Sequence, residues 1–148
     1  MDHNMFCFQC EQTAGCTGCT SRGVCGKDAQ TAQAQDRLTG ALIGLARAAD
    51  TSPDAGPETW QLMIEGLFAT LTNVNFDPDS LNALAGRVRA EKQRLVPDCA
   101  VCTAPCGRTG DYDLAQLWGA QEDIRSLKSL ILFGVRGMAA YAHHALGL

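Results

Sequence analysis

Apolar residues recur at three- and four-residue steps through four stretches of this chain, the pattern of helices that each bury one face. The first stretch can be capped by Asp28 or Thr31 and runs to about Ala49, with Ala34, Leu38, Ala41, Leu42, Leu45 and Ala49 on one side. Thr51-Ser52-Pro53-Asp54-Ala55-Gly56-Pro57 ends it, and Pro57 stands where the first turn of a helix tolerates proline. The second helix is predicted to end near Asn73, burying Leu62, Met63, Gly66, Leu67, Ala69, Thr70 and Leu71. A third begins around Pro78-Asp79 and sets Leu81, Leu84, Ala85, Val88 and Leu95 opposite the charges Arg87, Arg89, Glu91, Lys92 and Arg94. The strongest pattern comes last. Opened by Asp123, it carries Ile124, Leu127, Leu130, Ile131, Val135, Met138 and Ala142, the face this helix is expected to give to the core.

Small residues punctuate the first and last helices. Gly40, Gly44 and Ala46 resemble Gly134, Gly137 and Ala139, and Leu42 to Ala46 forms a weak repeat with Val135 to Ala139. These small residues are expected to face each other and let the two helices approach closely. No strand pattern competes, so the fold class is all-α: an antiparallel helical bundle with an N-terminal cysteine-rich loop. A chain of 148 residues is the size of one domain. Residues 1–148 are read as that domain, with a ligand-bearing loop at 5–27, three helices over 28–95, a second cysteine loop at 96–119 and a long C-terminal helix at 123–147.

Composition narrows the function. The net charge is −4 and the basic residues are scattered singly, so no basic stripe is offered to nucleic acid. A mildly acidic surface suits docking to a basic protein partner. The most apolar segment, Leu127 to Ala142, is interrupted by Lys128 and Arg136, which argues against a membrane span. Met1-Asp2-His3-Asn4-Met5 has no basic segment followed by an apolar run, so secretion is not signalled and a cytoplasmic location is expected. In that reducing compartment the eight cysteines read as metal ligands or catalytic thiols rather than as disulfides.

Four of them, Cys7, Cys10, Cys19 and Cys25, form a C-x2-C-x8-C-x5-C array. Thiolates two residues apart can turn toward one ion or cluster across a tight loop, and a second pair closes a four-coordinate site. Gly15, Gly18, Gly23 and Gly26 stand where such a wrap needs positive backbone angles, and Phe6 and Phe8 flank the first ligand as cover against water. On spacing alone, a structural zinc site is the alternative to an iron–sulfur cluster. His143 and His144 lie near the end of the last helix, where a capping or surface role is expected, and His3 is expected to be mobile. Trp60, Trp118, Tyr112 and Tyr141 are assigned to packing or surface. No phosphate loop, dinucleotide fingerprint or nucleophile elbow is present, and no catalytic residue is assigned.

The stretch Met5-Phe6-Cys7-Phe8-Gln9-Cys10-Glu11-Gln12-Thr13, with Gly18-Cys19-Thr20 and Gly23-Val24-Cys25-Gly26-Lys27, closely resembles the N-terminus of the hybrid cluster proteins, also called hydroxylamine reductases. Glu65 to Phe76 and Glu122 to Ala145 are similar to the first helical domain of that family, in the same order. The segment from Pro97 to Gly119 has no counterpart. The resemblance implies that Cys7, Cys10, Cys19 and Cys25 bind a cubane [4Fe-4S] cluster. It also implies that this chain lacks the two further domains in which the family holds its hybrid cluster and reduces hydroxylamine or nitric oxide.

A second group, Cys99, Cys102 and Cys106, supplies three thiolates in a C-x2-C-x3-C loop. Cys16 is the one cysteine left over, so these four make a candidate second [4Fe-4S] site. A zinc site, a redox pair such as Cys99 with Cys102, and a cluster with one open iron are the alternatives. The expected function is that of an iron–sulfur electron-transfer protein or subunit, working with a redox partner protein and allowing for a homo-oligomer. The rivals are a subunit of a split or oligomeric hydroxylamine or nitric oxide reductase, and an iron–sulfur redox sensor.

Overall fold

The computed structural model describes residues 5–97 and 110–147, so His3 and the second cysteine group at 99, 102 and 106 lie outside the described residues. Five α-helices follow one another: α1 (Ala29–Thr51), α2 (Pro57–Ala69), α3 (Pro78–Leu95), α4 (Leu114–Trp118) and α5 (Glu122–Leu146). Among the described residues no strand forms, and the fold is all-α as expected. The helix starts are written in the sequence. Asp28 accepts the Thr31 N–H at 2.8 Å, Asp77 accepts that of Asp79 at 3.0 Å, and Asp113 accepts that of Ala115 at 2.9 Å, each satisfying an amide that the first turn leaves free.

The core lies between α1 and α3, with α2 laid across them. Leu38, Ala41, Leu42 and Leu45 of α1 meet Leu81, Leu84, Ala85 and Val88 of α3, while Leu62 and Ala69 enter from α2. Gly66 lets α2 come in close, because a side chain there would press into Leu42. Polar contacts also join α2 to α3. The Thr59 hydroxyl accepts the Gly56 N–H at 3.3 Å and donates to Glu91 at 2.5 Å, and Arg94 reaches Glu91 at 2.7 Å.

Four expectations are corrected. Helix α2 stops at Ala69 rather than near Asn73, because the Thr70 and Leu71 amides turn back onto Gly66, Leu67 and Phe68, and Asn73 then adopts φ 64°. The loop expected over 96–119 contains α4, whose Leu114, Leu117 and Trp118 are buried. Gly40 and Gly44 do not face Gly134 and Gly137. They lie against the Tyr112 and Gly110 carbonyls, and the Tyr112 N–H donates to the Gly40 carbonyl at 3.0 Å; an added side chain at Gly134 or Gly137 meets nothing.

The largest correction concerns α5. Its apolar stripe faces outward, with Leu127, Leu130, Ile131 and Met138 exposed, while Ser129, Arg136 and Ala139 are buried. The helix rests on α2 and α4 and does not pack its backbone against α1. An apolar groove of about 340 Å³ remains between α1 and α5, lined by Leu42, Ile43, Met63 and Leu117 and, from α5, by Ile131, Leu132 and Val135. Two side chains hold α5 in place. Arg136 crosses to Thr39 of α1 at 2.9 Å, and His143 stacks on Phe68 with ring centroids 4.0 Å apart.

The Glu91 carboxyl is held down at about 2, first by Arg94 and, against its burial, also by Thr59. Its contribution is therefore complete above about pH 4.5 and fades as pH falls toward 2. Because Arg94 is half exposed, Glu91→Gln is expected to cost only about 1 kcal/mol at pH 7. The cost should vanish in urea titrations near pH 2.

Candidate metal centre

The cysteine loop closes on itself through backbone. Cys7 donates its N–H to the Cys19 carbonyl at 3.0 Å and accepts that of Cys19 at 2.9 Å, an isolated antiparallel bridge that sets these two residues opposite each other. Thr13 braces the bridge, donating its hydroxyl to the Cys7 carbonyl at 2.9 Å and lying 3.7 Å from the Cys19 Sγ. The Ala14 N–H points at that same sulfur from 3.4 Å. Gly15 and Cys16 continue in the left-handed region, at φ 60° and 57°, and leave Cys16 exposed on the outside of the turn. Gly18, at φ 136°, lies under the Phe6 ring, where a side chain would collide.

The second half of the loop is a tight turn. Gly23 donates to the Lys27 carbonyl and Gly26 to that of Gly23, both at 2.8 Å, with Cys25 half-buried between them. Gly26 takes φ 91°, but Gly23 does not adopt a positive angle. Its smallness serves packing, since a Cβ there would stand 3.0 Å from the Cys25 Sγ. Cys10 is half-buried and opens on a cleft shared with Thr70, Phe133 and Arg136.

Behind the loop runs a buried polar network that the sequence reading did not find. Lys27, 4% exposed, donates its ammonium to the Gln9 and Gln35 side-chain carbonyls. Gln9 passes its amide N–H on to the Ala32 carbonyl at 3.2 Å and to Asp36 at 2.5 Å. Arg136, 2% exposed, donates to the Gln9 backbone carbonyl at 3.1 Å as well as to Thr39, and its Nε is left without a partner. Neither cation forms an ion pair among the described residues. The one sequence signal for this network was Arg136 itself, which sits on the α5 face opposite the apolar stripe.

These charges shape the thiols and each other. Burial pushes the Cys7 thiol up, and the Lys27 charge and the Gln9 N–H only partly oppose it. At Cys19 burial acts in the same sense, but the Ala14 and Val24 amides, Thr13 and Lys27 together bring the thiol below its usual value. Burial lowers Arg136 to about 10, against the attraction of Asp36, Cys7 and Cys10. Two buried cations short of counter-charge are costly in an apolar interior. Asp36 attracts both, and the charge still lacking fits a metal–thiolate group of net negative charge, with the Ala14 N–H already directed at Cys19.

All five cysteines of the loop are free thiols. Among the described residues no three Cys, His, Asp or Glu side chains are gathered closely enough to hold a single ion, so the structure does not by itself assemble the four expected ligands. Nor does any described helix have the length and apolarity to cross a membrane. Phe6 and Phe8, the expected cover, pack on Trp118 with ring centroids at 6.4 and 5.8 Å, and Arg125 lies over the Phe8 ring.

A family model described as Prismane/CO dehydrogenase family matches residues 5–148. Similar curated proteins include a hydroxylamine reductase of Clostridium perfringens, 40% identical over 98% of this chain and 30% of its own length. A hydroxylamine reductase of Desulfitobacterium hafniense strain Y51 is 38% identical, and one of Porphyromonas gingivalis 37%, with the same coverage. The chain thus spans about 30% of the length of these relatives.

Burial raises Asp36 to about 6, against the pull of Gln9, Arg136 and Lys27. A proton is bound more tightly in the folded state, so the stability it adds is present below pH 3.8 and is lost as pH rises through 6. Relative to Asp36→Asn, the native protein is expected to lose about 2 kcal/mol between pH 4 and 6, read from urea unfolding at several pH values.

Proposed function

The chain belongs to the Prismane/CO dehydrogenase family, and on that premise we propose that it is an iron–sulfur electron-transfer module in which Cys7, Cys10, Cys19 and Cys25 hold one [4Fe-4S] cluster. The observation that carries this reading is the pair of buried, unpaired cations, Lys27 and Arg136, behind the cysteine loop. Such a cluster, when bound, supplies one-electron exchange at a potential set by nearby charge, hydrogen bonds to sulfur and exposure. Lys27 and Arg136 favour the more negative, reduced state. The Ala14 N–H acts in the same sense at Cys19. Phe6, Phe8 and Trp118 keep water from one side of the loop, while Cys16 and Val24 leave another side open for a redox partner protein. The acidic net charge suits a basic partner, and the cytoplasm is the compartment in which thiols stay reduced.

The names of the relatives favour a second reading, a subunit of a hydroxylamine-reducing assembly whose reaction site lies on other polypeptide. Under both readings the purified chain exchanges electrons with dye mediators and does not consume hydroxylamine by itself. Sustained hydroxylamine reduction by this chain alone would overturn both.

Iron and sulfide analysis of anaerobically purified protein tests the cluster. About four of each per chain are expected from one cubane, and Cys10→Ser should abolish the brown colour and the cooperative unfolding of the loop. About eight of each would add the second cluster at Cys16, Cys99, Cys102 and Cys106, and Cys102→Ala should then remove half the iron. Stoichiometric zinc in a colourless protein would refute the proposal.

Lys27→Gln should lower the midpoint potential by on the order of 50–100 mV, the worth of one partly screened charge at close range, as measured by redox titration.

A further inference from the structure

Asp36 brings the one carboxyl group into the polar network behind the cysteine loop. It sits in α1 and accepts the Gln9 side-chain N–H at 2.5 Å. Gln9 faces both ways, since its backbone N–H is directed at the Cys7 sulfur. Asp36 thus stands one residue away from a cysteine of the loop, and its own hydrogen bond is to Gln9 rather than to a cysteine. On its other side it meets an open cleft. Asp36 is half-buried and lines a space of about 560 Å³, whose walls also carry Arg37 of α1, Arg89 of α3, Asp111 and Asp113. A proton can reach its carboxyl from solvent through that cleft without crossing the core.

The charges that face Asp36 decide how it answers an electron. Burial opposes its ionisation and outweighs the Gln9 N–H, Arg136 from α5, Lys27 from the loop and Arg37 beside it, so the carboxyl stands at about 6. Across the cleft, Arg89 is paired with Asp111 at 2.7 Å. Asp111 does not share the role of Asp36, because Lys92 and Arg89 hold it below its ordinary value against its burial, and Asp113 is an exposed cap on the Ala115 N–H. On the loop side the coupling is to Cys7, where the Asp36 charge works against a thiolate. Such coupling is reciprocal: negative charge gathered at Cys7 works against the ionised form of Asp36.

We propose that Asp36 is a redox-linked proton acceptor, taking a proton from the cleft when the cysteine loop receives an electron and returning it when the electron leaves. The proposal rests on the electron-transfer reading. One electron from a low-potential dye or reductant and one proton from water enter together. The carboxylate becomes a carboxylic acid through one new O–H bond, and a carboxyl oxygen remains to accept the Gln9 N–H. The net charge behind the loop is then the same before and after reduction, which matters in an interior where added charge is costly.

Redox titration of the anaerobically purified protein, followed by its visible absorbance and repeated from about pH 5 to about pH 9, tests the proposal. The midpoint potential is expected to be level at the acid end, to fall through the middle of the range and to level again. Reduction should tighten the proton at least about 10-fold, and each tenfold appears as about 59 mV of total fall. Asp36→Asn keeps an acceptor for Gln9 but no charge, so it should hold one potential throughout, equal to the acid-end value of the native protein. Its iron content and circular dichroism should match the native protein. Infrared difference spectra should show a protonated carboxyl band appearing on reduction, and isotopically labelled aspartate should shift that band in the native protein, a readout that needs no variant. A native potential independent of pH, or a pH dependence that survives Asp36→Asn unchanged, would overturn the proton role and leave the electron-transfer reading standing. Protein purified anaerobically without iron would overturn both.

Discussion

The structure is organised around the burial of two positive charges beside the cysteine loop. Lys27 ends the cysteine loop, Arg136 lies in the middle of the last helix, and both reach Gln9, which stands between the first two cysteines. Through Gln35 and Thr39 the same network is fastened to α1. The loop, the first helix and the last helix are therefore joined less by oil than by hydrogen bonds around charge. Such an arrangement is high in energy when incomplete and rigid when satisfied. On the proposed function a thiolate-bound cluster would supply the missing negative charge, and holding the metal and holding the fold would be one problem rather than two.

The remainder of the molecule is ordinary by comparison. The α1–α3 core is close-packed aliphatic, and its polar brace of Thr59, Glu91 and Arg94 sits at the rim. This division lets the helical body keep its shape while the loop carries the chemistry. Asp36 lies at the boundary: its proton responds to burial on one side and to the two cations on the other.

What the sequence disclosed follows the same division. The faces of α1 and α3 were readable because both sides of their interface belong to this chain, so a three- and four-residue rhythm of Leu, Ala and Val reports burial directly. In α5 the rhythm was equally clear and pointed the wrong way. Periodicity reports that an apolar stripe exists but not which surface receives it, and Arg136 on the opposite side outweighed the stripe by binding Gln9 and Thr39. Helix α4 escaped notice because five residues are too short to display a period. The cysteine spacing stood out in the loop. The network of Gln9, Lys27, Gln35, Asp36 and Arg136 did not, because its members are separated by up to 127 positions and meet only once the chain has folded. Gly23 and Gly40 teach a related lesson: each is a glycine for want of room rather than for its backbone angle.

The aromatic contact at the loop has an optical consequence. Of the two tryptophans, Trp60 stands half in solvent on α2, whereas Trp118 is buried against Phe6 and Phe8, the neighbours of Cys7. The molecule thus contains two lamps of the same chemistry, one lighting the solvent and one lighting the sulfur loop. Emission from Trp118 is subject to a shift in colour when water enters the loop, while Trp60 provides a steady reference. The integrity of the loop is in this way encoded in the intrinsic fluorescence of the unlabelled protein.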